Sequence, residues 1–277
     1  MNKKQVERVS KHYGKLVEEE QLAEQMEQLP QASEAGEQVY AMVDGSMIFT
    51  RLGQWKEVKL GRIFSAKSLH LLSSTRNWIK QSVYVAHVGG HEDFLNKFET
   101  YTDQYEQDLV FVADGAPWIW NWVEATYSQA VQILDYFHAI EHLIAFALIF
   151  FKKGKQKDEW VKAQQELLLS DGVEQVINNI KSLECSSTKA KEEQDKLLKY
   201  YQNNRKRMTY KTFKEQGLLI GSGPIESAHR TVVQRRLKLS GQRWTLEGAQ
   251  NIVNLRVANM SGYWDKVINL IDARKRA

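Results

Sequence analysis

The period of the apolar positions changes along the chain, and each change marks a different element. "VYAMVDGSMIF" (39–49) and "WKEVKLGRIFSA" (55–66) alternate apolar and polar residues and are joined by the turn-like "TRLGQ"; with "SVYVAHV" (82–88) they predict three strands. In "HEDFLNKFETYTDQY" (91–105), Phe94, Leu95, Phe98, Tyr101, Thr102 and Tyr105 recur at helical spacing. "DLVFVADGAP" (108–117) is an apolar run ending in Asp-Gly, a buried strand, and Pro117 can open the helix "PWIWNWVEATY". "AVQILD" (130–135) predicts a fifth strand leading into "YFHAIEHLIAFALIFF". Residues 155–213 are polar with a helical pattern, and the segment from Pro224 is helical with a break near Ser240-Gly241. At the other end, residues 3–28 read as a charged helix, an arm packed on the rest of the chain or on a second copy, with 30–38 as its connector.

Three strands, a helix, a strand, a helix and a strand predict an α/β fold, a mixed five-stranded sheet flanked by helices. A three-strand meander followed by crossovers is the order of the ribonuclease H-like fold. Other α/β folds share parts of it, so the pattern alone leaves that choice open.

Composition narrows the setting. The 277 residues, 43% hydrophobic and 26% charged, suffice for one large domain or two modest ones. The single cysteine, Cys185, excludes an internal disulfide framework and a cysteine zinc cluster, and fits a reducing compartment. The longest apolar run, "LIAFALIFF" (143–151), is far short of the ~20 residues that cross a bilayer. The N-terminus lacks the apolar stretch of a signal peptide, so a cytoplasmic protein is expected. The net charge of +4 is unevenly placed: from Arg205 to Ala277 there are fifteen Lys/Arg against five Asp/Glu, leaving residues 1–204 at −6. The basic end is a candidate phosphate-binding region, or simply a solvated surface.

Asp44 and Asp114 each end an apolar strand, "YAMVD" and "VFVAD", and each precedes glycine. Sites in α/β sheets are built at the carboxyl ends of parallel strands. Two carboxylates brought together there repel unless a cation lies between them, and Mg²⁺ suits such a place. A turn-forming Asp-Gly at each strand end explains the same residues without chemistry. Glu226 follows "GSGP" as the third residue of a helix, where a glutamate also serves as a cap; Arg230, one turn on, shares its face. Asp135 and His138 follow the fifth strand, where an oriented core histidine is the ordinary explanation. His142 lies four residues after His138, but Ala139 stands where HExxH requires glutamate, so a zincin site is not expected. Trp118 and Trp122 share a helical face suited to core packing. In "HRTVVQRRLKLSGQRW", Arg230, Arg235, Arg236, Lys238 and Arg243 lie off the stripe of Val232, Val233 and Leu237, and arginine forks fit phosphate oxygens.

"MVDG" (42–45), "VADGA" (112–116) and "IGSGPIESAHRTVVQRRLKLSGQRW" (220–244) together resemble the DDE transposases of bacterial insertion sequences, most of all the Kra-type family, over about residues 38–262. "DYFH" (135–138) is similar to the C/D-x-x-H element of related transposases. The resemblance implies a ribonuclease H-like catalytic domain with an all-helical insertion before the glutamate helix. The chain then divides into an N-terminal arm and linker (1–37), the first part of the core (38–152), the insertion (153–216), and the glutamate helix with basic C-terminal helices (217–277). Asp44, Asp114 and Glu226 would be the acidic triad holding two Mg²⁺ or Mn²⁺ ions. Arg230, Arg235, Arg236, Lys238 and Arg243 would hold DNA, with Asp135 and His138 accessory. The implied reaction is metal-dependent cleavage of DNA at element ends followed by strand transfer, by a nucleoid-associated homodimer or higher oligomer. Such transposases usually carry an N-terminal end-recognition module. Only residues 1–37 precede the first strand core, which implies a truncated copy, a fragment or a domesticated derivative. Two other readings are a non-catalytic DNA-binding relic and a structure-selective nuclease of the same fold.

Overall fold

A computed structural model describes residues 2–24, 37–73, 76–105, 108–151 and 154–275. Its strands are β1 (Val39–Phe49), β2 (Trp55–Ser65), β3 (Leu69–Ser73), β4 (Arg76–Ile79), β5 (Val83–Val88), β6 (Leu109–Ala113) and β7 (Val131–Leu134). Helices precede, separate and follow them: α1 (Lys3–Glu24), α2 (His91–Thr102), α3 (Pro117–Thr126), α4 (Tyr136–Phe150), α5 (Lys155–Leu168), α6 (Val173–Lys181), α7 (Thr188–Asn204), α8 (Tyr210–Glu215), α9 (Gly223–Ala228), α10 (Arg235–Leu237), α11 (Leu246–Met260) and α12 (Trp264–Lys275). The strands of the expected five-stranded mixed sheet run in the order β5-β2-β1-β6-β7. Two compact units can be recognised, Met1–Val110 with Gly223–Ala277, and Phe111–Ser222.

In the first unit, β1 and β2 pair antiparallel along their full length, with Asp44 opposite Leu60, and β2 pairs antiparallel with β5. Val39–Val43 are all buried, as expected of a strand covered on both faces. From Asp44 onward the strand becomes partly exposed, so its polar residues appear where the cover ends. Gly61 on β2 makes room for α2: a Cβ there would lie 2.3 Å from the buried ring of Phe98. The two-stranded sheet of β3 and β4 was not anticipated from the sequence. "LHLL" and "RNWI" lack a clean alternation, and their pairing is local to one hairpin.

Helix α1 packs on α11 at unusually close range. A Cβ on Gly14 would fall 2.3 Å from the Asn251 carbonyl oxygen, while Asn254 Nδ2 donates to the Gly14 carbonyl at 3.0 Å. Residues 25–28 of the expected first helix and 30–36 of the expected connector lie outside the described residues.

The second unit is mainly helical. Pro117 opens α3, Ser187 caps α7 through the Ala190 amide, and the long polar stretch after Phe150 forms α5 to α8. Buried side chains tie these helices together: Gln194 donates to the carbonyls of Ile180 and Leu183, and Tyr201 donates to that of Ala139. Asp171, at φ 61, caps α8 by accepting from the amides of Lys211 and Thr212. No described helix is long and apolar enough to cross a membrane.

Replacing Gly14 with alanine is expected to separate α1 from α11, since the obstructing atoms are backbone and cannot rotate away. Overpacking of this kind costs roughly 1–3 kcal/mol; urea unfolding should show a lower midpoint for Gly14→Ala and little change for a substitution at exposed Gly223.

Candidate functional site

Strand β1 presents alternate side chains to one face, which puts Asp44 and Ser46 side by side. The run that begins with α9 supplies the opposing wall. Asp44, Gly45, Ser46, Glu226, His229, Arg230 and Gln234 line an open cleft of about 230 Å³. Two of the three predicted acids thus meet here, together with one of the predicted DNA-holding arginines. Glu226, His229 or Arg230, and Gln234 recur at three- to four-residue steps, the spacing of one helical face.

The geometry of that wall is set by two features invisible to a pattern of 3.6. One is a π-helical turn over His229–Gln234, which widens the helix immediately after Glu226. The other is Arg62 on β2. Its Nη1 donates to the Pro224 carbonyl at 2.8 Å and its Nε to Ser82 Oγ at 3.0 Å, while its guanidinium lies 5.4 Å from the Phe64 ring centroid and 5.3 Å from that of Tyr84. Burial pushes this guanidinium below its ordinary range, with the Tyr84 charge opposing. A buried cation held by a carbonyl and two rings is a fixed point from which the first turn of α9 is hung.

On the β1 side, Asp44 Oδ1 accepts the Gly45 amide at 2.7 Å, and its Oδ2 lies 3.6 Å from His229 Nε2. The His229 side chain is 3% exposed and that of Asp44 30%. Burial drives the His229 imidazole below its usual pKa, against the pull of Asp44. A Cβ on Gly45 would sit 1.9 Å from Glu57 Oε1, so that side chain would have to shift. Glu57 in turn pairs with the buried ammonium of Lys59 at 2.6 Å.

The other predicted cations follow the π turn. Arg235, Arg236, Lys238 and Arg243 are exposed. Lys238 Nζ donates to Ser46 Oγ at 3.1 Å, and the Arg243 guanidinium lies 5.4 Å from the Phe49 ring. Trp244 pins this basic loop to the end of β1: its amide donates to the Phe49 carbonyl at 3.1 Å and its indole to that of Leu237 at 3.0 Å. Arg256, on α11, donates to the Thr231 carbonyl at 2.6 Å. Burial and the charges of Arg236 and Arg235 hold it below the ordinary guanidinium range.

Asp114, Asp135 and His138 belong to the second unit. Asp114 follows the last residue of β6; its Oδ1 accepts the Ala116 amide at 3.0 Å and its carbonyl accepts Trp120 Nε1 at 2.7 Å. Trp120 carries the Arg207 guanidinium 4.5 Å from its ring, and Arg207 is paired with Glu124. The adjacent Gly115 lies under Tyr200, whose ring would be 2.1 Å from a Cβ there. Burial and the charges of Asp114 and Asp135 push the Tyr200 phenol well above its usual pKa.

Asp135 is wholly buried and caps α4. It accepts from the Phe137 amide at 2.7 Å, from His138 Nδ1 at 2.9 Å, and from both the amide (3.0 Å) and hydroxyl of Ser222. Burial alone would raise its pKa, but the bonds from His138 and Ser222 prevail and hold it below the ordinary carboxylate value. His138 is pushed up to about 9, chiefly by that hydrogen bond. The pair therefore orders the segment ahead of α9: the Tyr136 amide also donates to the Ile220 carbonyl at 2.9 Å.

The sequence reading missed His229, Arg62, Tyr200 and Arg256 as parts of these surroundings. His229 carried one signal, its i+3 spacing from Glu226; the others meet their partners only through tertiary packing.

Residues 2–272 match the Uncharacterised protein family UPF0236, and the chain belongs to that family. No curated protein matches the chain.

The His138–Asp135 pair has a definite pH signature. Because the folded-state value of His138, about 9, exceeds the ordinary imidazole value of 6.5, its contribution to stability is complete below pH 6.5 and disappears as pH rises through about 9. Asp135→Asn should remove this dependence and return the His138 titration, followed by NMR of its ring protons, to the ordinary imidazole range or below. A His138 titration unchanged by Asp135→Asn would contradict the assignment.

Proposed function

We propose that this member of UPF0236 is a DDE-type transposase of an insertion sequence that cleaves DNA with divalent metal and transfers the strand it frees. The observation that carries the reading is the convergence of Asp44 and Glu226, far apart in the chain, on one open cleft beside Arg230. Further support comes from the order of the sheet, β5-β2-β1-β6-β7, which is compatible with a ribonuclease H-like core. The sequence resemblance supplies Asp114 as the third acid.

The residues fit the metal that such chemistry needs. Asp44 and Glu226 offer carboxylate oxygens in a cleft open to solvent, the donors that Mg²⁺ and Mn²⁺ take, and Asp114 would complete the set. Bound divalent ions would supply a water or 3′-hydroxyl of lowered pKa and charge stabilisation at the phosphate. The chain's own contributions are positional. The turn geometry at Asp44 and Asp114, each accepting a nearby amide, holds the carboxylates in fixed rotamers. Arg230 faces the phosphate, and Arg235, Arg236, Lys238 and Arg243 hold the flanking backbone. Arg235, Arg236 and Arg256 lie close enough to repel one another, and a DNA backbone would balance their charge. Asp135 and His138 are accessory, ordering the segment at Ile220–Ser222.

The test uses the full chain and a supercoiled plasmid bearing the genomic DNA that flanks its coding segment. With Mg²⁺ or Mn²⁺, nicked and then joined products are expected. Asp44→Asn, Asp114→Asn and Glu226→Gln should each reduce cleavage by more than the ~10–100-fold that loss of an outer-shell metal partner costs. A variant that cuts as well as the parent removes that residue from the triad. DNA binding with no product under any metal would favour the non-catalytic relic, and cutting of branched DNA without joining would favour a structure-selective nuclease. In the binding assay, Arg235→Ala and Arg236→Ala should weaken unrelated DNA sequences alike. Each should lower the slope of log affinity against log salt by about 0.9.

A further inference from the structure

His229 is an unusual wall for a carboxylate cleft. Its side chain is 3% exposed, yet it lines the cleft, and neither ring nitrogen has a hydrogen-bond partner among the described residues. Buried polar atoms are almost always satisfied, so an unpaired imidazole aimed at a carboxylate calls for a missing partner. Nε2 stands 3.6 Å from Asp44 Oδ2, beyond a good hydrogen bond. That gap suits a different connection. A metal ion takes imidazole nitrogen and carboxylate oxygen at ~2.0–2.2 Å, so one ion can bridge two such atoms up to about 4.2 Å apart without moving either.

We propose that the cleft is a mixed nitrogen–oxygen cation site, in which His229 Nε2 and Asp44 Oδ2 ligate one divalent transition-metal ion, with Glu226 lining the same cleft. The proposal rests on the metal reading of the cleft but adds a ligand to it. An imidazole among the donors shifts preference away from Mg²⁺, which takes oxygen, toward a transition metal. It also explains the burial of His229: a ring fixed by packing loses little freedom on ligation. The π turn is what makes the ligand set possible. By widening the helix from His229 onward, it lets the ring lie beside β1 while Glu226 stays exposed at the rim.

Mn²⁺ bound to the full chain provides a readout independent of DNA cleavage. Pulsed electron paramagnetic resonance should show the modulation of a directly coupled ¹⁴N, changed by uniform ¹⁵N-histidine labelling. His229→Gln should abolish it and weaken Mn²⁺ binding by at least ~10-fold, as even outer-shell losses do. Should His229→Gln fail to fold, a double variant, His138→Gln with His142→Gln, decides the matter: retained nitrogen modulation supports His229, and lost modulation overturns it. The proposal is also overturned by the absence of nitrogen modulation in the parent protein, or by its persistence in folded His229→Gln. A parent that cuts DNA with no coupled nitrogen would sink this assignment and leave the proposed reaction standing; a coupled nitrogen with no cleavage would do the reverse.

Discussion

Within the first unit, everything at the cleft depends on a buried arginine holding a carbonyl. Arg62 lies on the strand next to β1, and through Pro224 it fixes where the glutamate helix begins. A buried guanidinium without partners is costly, and the expense is met by the Pro224 carbonyl, the Ser82 hydroxyl and two aromatic faces. Its Nη1 therefore has one good place to donate, and the helix start goes there. Glu226 is two residues further on. If the anchor moved, the acid would move with it, and the wall opposite Asp44 would be lost.

The same arrangement explains why glycine and proline surround the glutamate. Ser222 is bound by Asp135, whose other oxygen holds the first turn of α4, and Pro224 follows with its carbonyl committed to Arg62. Between them Gly223 has open space around it and no strain to relieve. Within the first unit, the Arg62 tether sets a charged helix beside the middle of β1. The basic loop beyond the π turn is tethered too, at Trp244, so the positive charges do not wander from the acids. Burial and the like charges of Arg236 and Arg235 hold Arg256 below the ordinary guanidinium range.

Much of the layout was legible in the sequence because it obeys local rules. The alternation of β1 and β2, the apolar run of β6, Pro117 at the start of α3 and the break near Ser240-Gly241 all follow from period and turn chemistry. The β3–β4 hairpin did not, since its residues follow neither period cleanly. Asp44 and Glu226 were chosen from strand-end and helix-start positions; Asp44 in fact stands mid-strand, because β1 and its pairing with β2 continue to Phe49, yet the two residues line the same cleft. What could not be read was who faces them. His229 looks like any residue of an amphipathic helix until the π turn rotates it toward β1, and Arg62 looks like the exposed face of an alternating strand until Pro224 is placed against it. Asp135 was legible as a residue near a strand end, but its five neighbouring donors were not, and they show a cap and a tether.

The central claim is that Asp44, Asp114 and Glu226 serve a common divalent-metal centre. Crystals of the protein grown with Mn²⁺ and measured at the manganese absorption edge would test it most directly. The account predicts anomalous density bonded to carboxylate oxygens of all three residues. Ordered manganese held only by other side chains, or none at saturating concentration, would contradict it.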